Sequence, residues 1–383
     1  MKLDIQNNNK KIVILALHLG YGGIEKFIVN IANMFSNDYE VEIISAYKLY
    51  SKPAFEIDSK VKITYLLEEN LVPNKARLLQ SIKKVNIFDI AKQVYIATKV
   101  LTLRRYRMIN AIKNIQTSVV ISTRYTHNNL LGKYGEANLI KIATEHNYYL
   151  NNKSSFKKVI KSCKKVNFLV LSTKEQADFY KDELGEKKVL NIPLALDTFP
   201  NDFSNLDTKQ ITYIGRLEKE KGVLDLIDVF KVIKEESPEC VLNIVGDGSK
   251  KEDLQARIKE YDLEKNVILY GYKDRREIEK ILLNTSIGIN TSYIESFGLA
   301  VLETLSYGIP CIAFDSAKGI LELIDNEKNG YIINNRNKEE MAKKVTELLE
   351  NKGRLIGLGN NAKEKSLKFS QDNIKQMWET AIN

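Results

Sequence analysis

At 383 residues, 44% hydrophobic and 28% charged, the chain is too long for one hydrophobic core, and two globular domains are expected. No apolar run reaches the ~18–20 residues that cross a bilayer. Met1–Asp4 with Asn7–Asn9 lacks the basic flank and apolar core of a secretion signal, so a cytoplasmic location is expected.

Cys163, Cys240 and Cys311 form no CxxC pair, and His18, His127 and His146 have no metal-ligand spacing. Neither a disulfide framework nor a metal site is expected. The net charge of +9 is uneven. Lys83, Lys84, Lys92, Lys99, Arg104, Arg105 and Arg107 face only Asp89 over residues 75–113, and Lys157, Lys158, Lys161 and Lys164 face no acid over 153–165. No nucleic-acid-binding motif accompanies this charge. A solvated lysine-rich surface is one reading and an anionic membrane surface at the inner face of the plasma membrane is the other.

Short β-rich runs alternate with helical stretches, the pattern of α/β layers around parallel sheets. Lys11–Leu17 predicts a strand, and a helix over Gly23–Phe35 and a strand over Val41–Ser45 complete a βαβ unit. Strands follow at Lys62–Tyr65, Val119–Ser122, Ile140–Thr144, Phe168–Leu171 and Val189–Ile192, with one or two basic amphipathic helices between Ile87 and Ile115. The polar segment Asp197–Lys209 reads as a linker. A second series then runs through strand Ile211–Ile214, helix Val223–Glu236, strands Val241–Val245, Val267–Tyr270 and Ile287–Asn290, helix Gly298–Tyr307 and strand Pro310–Phe314. The expected domains are 1–196 and 210–365, joined by 197–209, with Trp378 anchoring a final helix over 366–383 that returns to the first domain. Two doubly wound domains facing across a cleft bind ligands at the carboxyl ends of their sheets.

Glu295-Ser-Phe-Gly-Leu-Ala-Val-Leu-Glu303 places one carboxylate in a loop and another on the helix that follows. The amides of Phe297, Gly298 and Leu299 are the unpaired donors of a helix start, which attract anions. Glu303 lies one turn below Leu299, positioned to accept hydroxyl hydrogen bonds from a diol. Tyr213-Ile-Gly-Arg216-Leu-Glu-Lys-Glu-Lys221-Gly222 ends a strand in a glycine turn bearing two cations, suited to gripping a diphosphate leaving group. Gly20-Tyr21-Gly22-Gly23-Ile24-Glu25 fails as a dinucleotide fingerprint, because Glu25 replaces the third glycine. No Asp-x-Asp pair occurs.

On these motifs the chain resembles retaining glycosyltransferases of family four, which have GT-B architecture, two facing Rossmann-like domains. Glu295–Glu303 is similar to the family's E-x7-E motif, and Gly215-Arg216-Leu217 with Lys221-Gly222 to its G-R-L-x-x-x-K-G motif. Gly22–Lys26, Gly246-Asp247-Gly248 and Tyr307–Pro310 extend the resemblance; residues 45–140 share only the general layout. The resemblance implies that Glu303 holds the donor ribose, and that Glu295 and the amides of Phe297, Gly298 and Leu299 meet the sugar and diphosphate. It implies that Arg216 and Lys221 stabilise the leaving nucleoside diphosphate, and that Tyr272 and Lys273 lie beside the base. His146 would sit beside the donor sugar, and Gly22 and Gly23 near phosphates and acceptor. Arg124 and His127 are acceptor-side candidates, with a structural role the alternative for His127. The expected activity is retaining, metal-independent transfer of a hexose or N-acetylhexosamine from a UDP-sugar, with no cofactor. The expected acceptor is a lipid-linked surface glycan or one of teichoic-acid type. A nucleotide-sugar epimerase and a non-catalytic carbohydrate-binding protein are the alternatives.

Overall fold

The computed structural model describes residues 11–68, 71, 75–83, 86–116, 118–148 and 152–382. The segment Met1–Asn9 and Lys84, both used above, lie outside them. The chain divides into two compact units: one runs to Leu171 and adds Gln176–Ile192 and the residues from Lys375, and the other comprises Ser172–Glu175 and Pro193–Ile374.

The first unit contains β1 (Lys11–Ala16), α1 (Gly23–Phe35), β2 (Glu40–Ser45), β3 (Lys62–Tyr65), α2 (Lys75–Lys83), α3 (Ile87–Lys113), β4 (Ser118–Ser122), α4 (Tyr125–Tyr134), β5 (Ile140–Glu145), α5 (Lys153–Cys163), β6 (Phe168–Leu171), α6 (Lys174–Leu184) and β7 (Val189–Asn191). Its strands are parallel in the order β3-β2-β1-β4-β5-β6-β7. β1 is buried along nearly its whole length, as a strand covered by helices on both faces must be. The basic stretch forms one helix, α3, started by Asn86, whose side chain accepts the Asp89 N–H. Trp378 is fully buried, its ring 6.1 Å from that of Phe27.

The second unit contains β8 (Gln210–Ile214), α7 (Val223–Glu236), β9 (Val241–Val245), α8 (Lys251–Glu260), β10 (Val267–Gly271), α9 (Arg275–Leu282), β11 (Ile287–Asn290), α10 (Leu299–Ser306), β12 (Cys311–Phe314), β13 (Gly330–Ile333), α11 (Lys338–Glu350) and α12 (Lys352–Leu367). Its parallel sheet has the order β10-β9-β8-β11-β12-β13. α12 continues past the expected boundary at 365, and the chain turns before α13 (Gln371–Ile382). One core packs Ile211, Phe230, Leu242 and Ile287 between sheet and helices, and a second gathers Phe297, Leu302, Ile320 and Phe369.

Strand order reverses direction beside β1 in the first unit and beside β8 in the second. Carboxyl ends at such a switch point form a crevice that binds ligands. The loops after β1, β4 and β5 carry His18–Gly23, Arg124 and His146; those after β8 and β11 carry Gly215–Lys221 and Thr291–Gly298.

Candidate active site

In the second unit, two loops are stitched together. Tyr293 N–H donates to Glu220 O at 2.8 Å, and Thr291 Oγ1 donates to Gly222 O at 3.0 Å. Gly222 opens α7 in a left-handed conformation (φ 62°), and a Cβ there would lie 2.1 Å from Thr291 O. Only glycine permits both. The stitching brings Lys221 Nζ to 2.5 Å from Glu295 Oε1, with both side chains largely buried. Ser292 Oγ donates to the same oxygen at 3.2 Å.

Arg216 is the exposed member of the cluster, 2.9 Å from Glu220. Cations beside a helix start face an unfavourable dipole; here Glu295 and Glu220 offset them. The Arg216 loop is seated on the turn after β9, where Leu217 N–H donates to Asp247 O at 2.9 Å.

The Glu295 loop ends in Phe297, whose side chain is core, and Gly298, which caps α10 at φ 97°. In the first turn of α10 Val301 N–H donates to Gly298 O at 2.9 Å, and the N–H groups ahead of it have no carbonyl one turn back, an arrangement suited to an anion. Glu303 is half-buried on α10. Its charge and that of Glu279 add to burial in pushing the Tyr307 hydroxyl up to about 12. Tyr272 is exposed just after β10, and Lys273 pairs with Glu277 at 2.7 Å.

In the first unit, Arg124 lies at the electrostatic centre. Its Nη2 and His18 Nδ1 are each 3.4 Å from Glu25 Oε1, and Glu25 is buried. A Cβ on Gly22 would lie 2.3 Å from Glu25 Oε2, so the α1 start is occupied by the chain's own carboxylate, and Gly23 follows as its first residue. His146 Nε2 is 2.8 Å from Thr144 Oγ1, and its ring is 4.3 Å from Phe27. Burial, with the Arg124 charge, lowers its pKa to about 3, so the imidazole is neutral at neutral pH. His127 is buried, and among the described residues its Nδ1 has no hydrogen-bond partner.

Residues 197–365 match the family Glycosyl transferases group 1. An uncharacterized glycosyltransferase of Haemophilus influenzae is 23% identical over 378 residues, spanning 96% of this chain and 99% of its own. This chain is a glycosyltransferase. A poly(ribitol-phosphate) alpha-N-acetylglucosaminyltransferase of Staphylococcus aureus is 25% identical over 375 residues, 92% of this chain and 73% of that protein. A mutant of S. aureus TarM, in complex with Fondaparinux, alpha-GlcNAc-glycerol and UDP, matches the fold with a TM-score of 0.78 at 19% identity, covering 98% of this chain and 100% of that one. The architecture is GT-B, with two Rossmann-like parallel-sheet domains.

Three residues that hold the candidate loops of one unit or the other carried no sequence signal. Arg336 sits in a polar turn after β13 and donates to Thr291 O (2.9 Å), Ser292 O (3.1 Å) and Ser316 Oγ (2.8 Å). It pairs with Asp225 at 2.5 Å, its guanidinium 3.6 Å from the Tyr293 ring centre and 4.4 Å from that of Phe314. Burial opposes charge on Asp225, but hydrogen bonds from Lys338, Tyr293 and Arg336 hold its carboxyl below the usual range. Gly319 packs on the Glu295 turn, where a Cβ would lie 2.4 Å from the Ser296 carbonyl carbon. In the first unit, buried Glu145 accepts the His146 and Asn147 N–H groups at 2.9 Å.

Proposed function

We propose that the enzyme moves a hexose or N-acetylhexosamine from a UDP-sugar to a phosphate-bearing surface glycan of teichoic-acid type, retaining anomeric configuration and using no metal. The observation that carries the donor half is the Lys221–Glu295 pair, held in the loops after β8 and β11 at the switch point, with α10 starting three residues beyond Ser296. UDP in the TarM complex and the poly(ribitol-phosphate) specificity named for the S. aureus relative support donor and acceptor classes.

In this reading the diphosphate lies on the start of α10, with Arg216 and Lys221 neutralising the charge that builds as the bond from anomeric carbon to phosphate oxygen breaks. Glu303 accepts the ribose hydroxyls and Glu295 faces the sugar. Phe297, Gly298 and Leu299 contribute backbone, and Tyr272 and Lys273 flank the base. The acceptor hydroxyl attacks from the face the phosphate leaves, and its proton passes to the departing phosphate oxygen. His146, neutral, hydrogen-bonds the transferred sugar.

Transfer from UDP-glucose and UDP-N-acetylglucosamine to a poly(ribitol phosphate) oligomer tests this directly. Lys221→Ala and Glu295→Gln should each lower kcat by about 100-fold or more, and EDTA should leave the rate unchanged. Activity abolished by EDTA and restored by Mn2+ refutes metal independence. A new nucleotide sugar formed from donor alone would identify an epimerase instead.

A further inference from the structure

A cavity of about 320 Å³ opens between α3 and α4 of the first unit. Met108 and Leu130 form its apolar wall, while Arg104, Arg105, Thr126 and His127 bring polar groups to it. Among the described residues, neither guanidinium has a carboxylate partner. From Ile90 to Gly135 the chain carries eight lysines and arginines and no aspartate or glutamate. Of these, Arg124 is met by Glu25; the Arg104 and Arg105 charges at the cavity have no such partner among the described residues, and an apolar wall strengthens their attraction for an anion.

The position suits a ligand of the sheet's carboxyl edge. The Arg104 guanidinium lies 5.7 Å from the ring of Tyr47, two residues beyond β2. Thr126 and His127 stand in the first turn of α4, immediately after β4. The His127 ring is buried, and its Nδ1 has no partner among the described residues. Two guanidiniums lining one cavity suit the oxygens of a phosphate ester, which takes bidentate N–H donors.

We propose that this cavity is a phosphate-ester subsite that holds a charged link of the acceptor, with Arg104 and Arg105 supplying the cations. The proposal rests on the surface-glycan reading above, and its substrate class is a polyol linked by phosphodiesters. A glycan of repeating phosphates would present one link to the cavity while a neighbouring hydroxyl reacts.

Calorimetric titration of the full chain tests it, with a short poly(glycerol phosphate) oligomer and, separately, UDP. The wild type should bind both. Arg104→Ala/Arg105→Ala should lose at least about tenfold in oligomer affinity, because two charge-assisted bonds are removed. R104K/R105K should recover part of it, and UDP affinity should be equal in all three. Unchanged oligomer affinity in the double alanine variant overturns the proposal, as does failure of the wild type to bind the oligomer. An equal loss toward an uncharged glucan oligomer would mean the arginines act by packing, and also overturns it. So does weakened binding to phosphatidylglycerol vesicles with oligomer binding intact, since the phosphate would then be a lipid headgroup. If UDP fails to bind the wild type while the oligomer behaves as expected, the donor reading fails and the subsite stands.

Discussion

His127 and His146 are both histidines that the fold keeps neutral. For His127 burial is the main cause, with the Arg124 and Arg104 charges adding to it and a hydrogen bond to the Leu15 backbone opposing it, and the pKa falls to about 4 from 6.5. A folded-state pKa below the unfolded one means the unfolded chain takes up a proton first as pH falls. Stability present above pH 6.5 is then lost between pH 6.5 and 4. From pH 7 to 5 the loss from this group is about 2 kcal/mol. His127→Asn should flatten the pH dependence of the urea midpoint by about that amount, and an identical slope in the variant would show that the imidazole titrates normally. At this scale the sequence was legible in marking Lys221 and Glu295 by their neighbours, a pair the fold brings within 2.5 Å. It was not legible for Glu145, a carboxylate whose role is to accept two backbone N–H groups, because nothing in a strand's sequence marks which end residue turns back on its own chain.

The loop after β11 shows what elements contribute. It carries Glu295 and is tied to the Lys221 loop by its own Thr291 and Tyr293; a turn after β13, some 40 residues away, adds a second hold through Arg336. The guanidinium lies between Tyr293 and Phe314 and donates to Thr291, Ser292 and Ser316. Lysine keeps the charge there but not the planar fork. Arg336→Lys should lower kcat at least about tenfold with secondary structure unchanged by circular dichroism. Arg336→Ala should also cost about 1–3 kcal/mol of stability, because the clamp's hydrogen bonds are lost while Asp225 keeps Lys338 and Tyr293 as partners. A wild-type rate for the lysine variant would show that the loop holds its position unaided. This clamp explains why part of the fold escaped the sequence reading. Lys62–Tyr65, Phe168–Leu171 and Val223–Glu236 were legible because apolar periodicity alone sets them. β13, Gly330–Ile333, is four residues long between Asn-rich turns, and pairing with β12 makes it a strand.

For the whole molecule, the separation of charge is the feature that a family resemblance does not explain. No helix of the described residues is long and apolar enough to cross a membrane. Yet α3 leaves Phe88 90%, Ile87 74% and Tyr95 68% exposed, beside Lys92 and Lys99, and buries Val100, Met108 and Ile112. In the membrane reading, apolar side chains raised among lysines would seat α3 on an anionic bilayer. Binding there would bring the enzyme to a lipid-linked acceptor. Seating Ile87 and Phe88 in the interface contributes roughly 1.5–3 kcal/mol each at full burial, and each lysine near the headgroups about 1 kcal/mol. Ile87→Ser/Phe88→Ser should therefore weaken binding to phosphatidylglycerol vesicles at least about tenfold, with little dependence on salt. Lys92→Gln/Lys99→Gln should weaken it too, and the remaining binding should fall less steeply as salt rises, because fewer screened contacts remain. Sedimentation with vesicles at several salt concentrations reads both effects. Equal partition of the wild type and both variants would mean that α3 faces solvent and the apolar side chains on it are incidental.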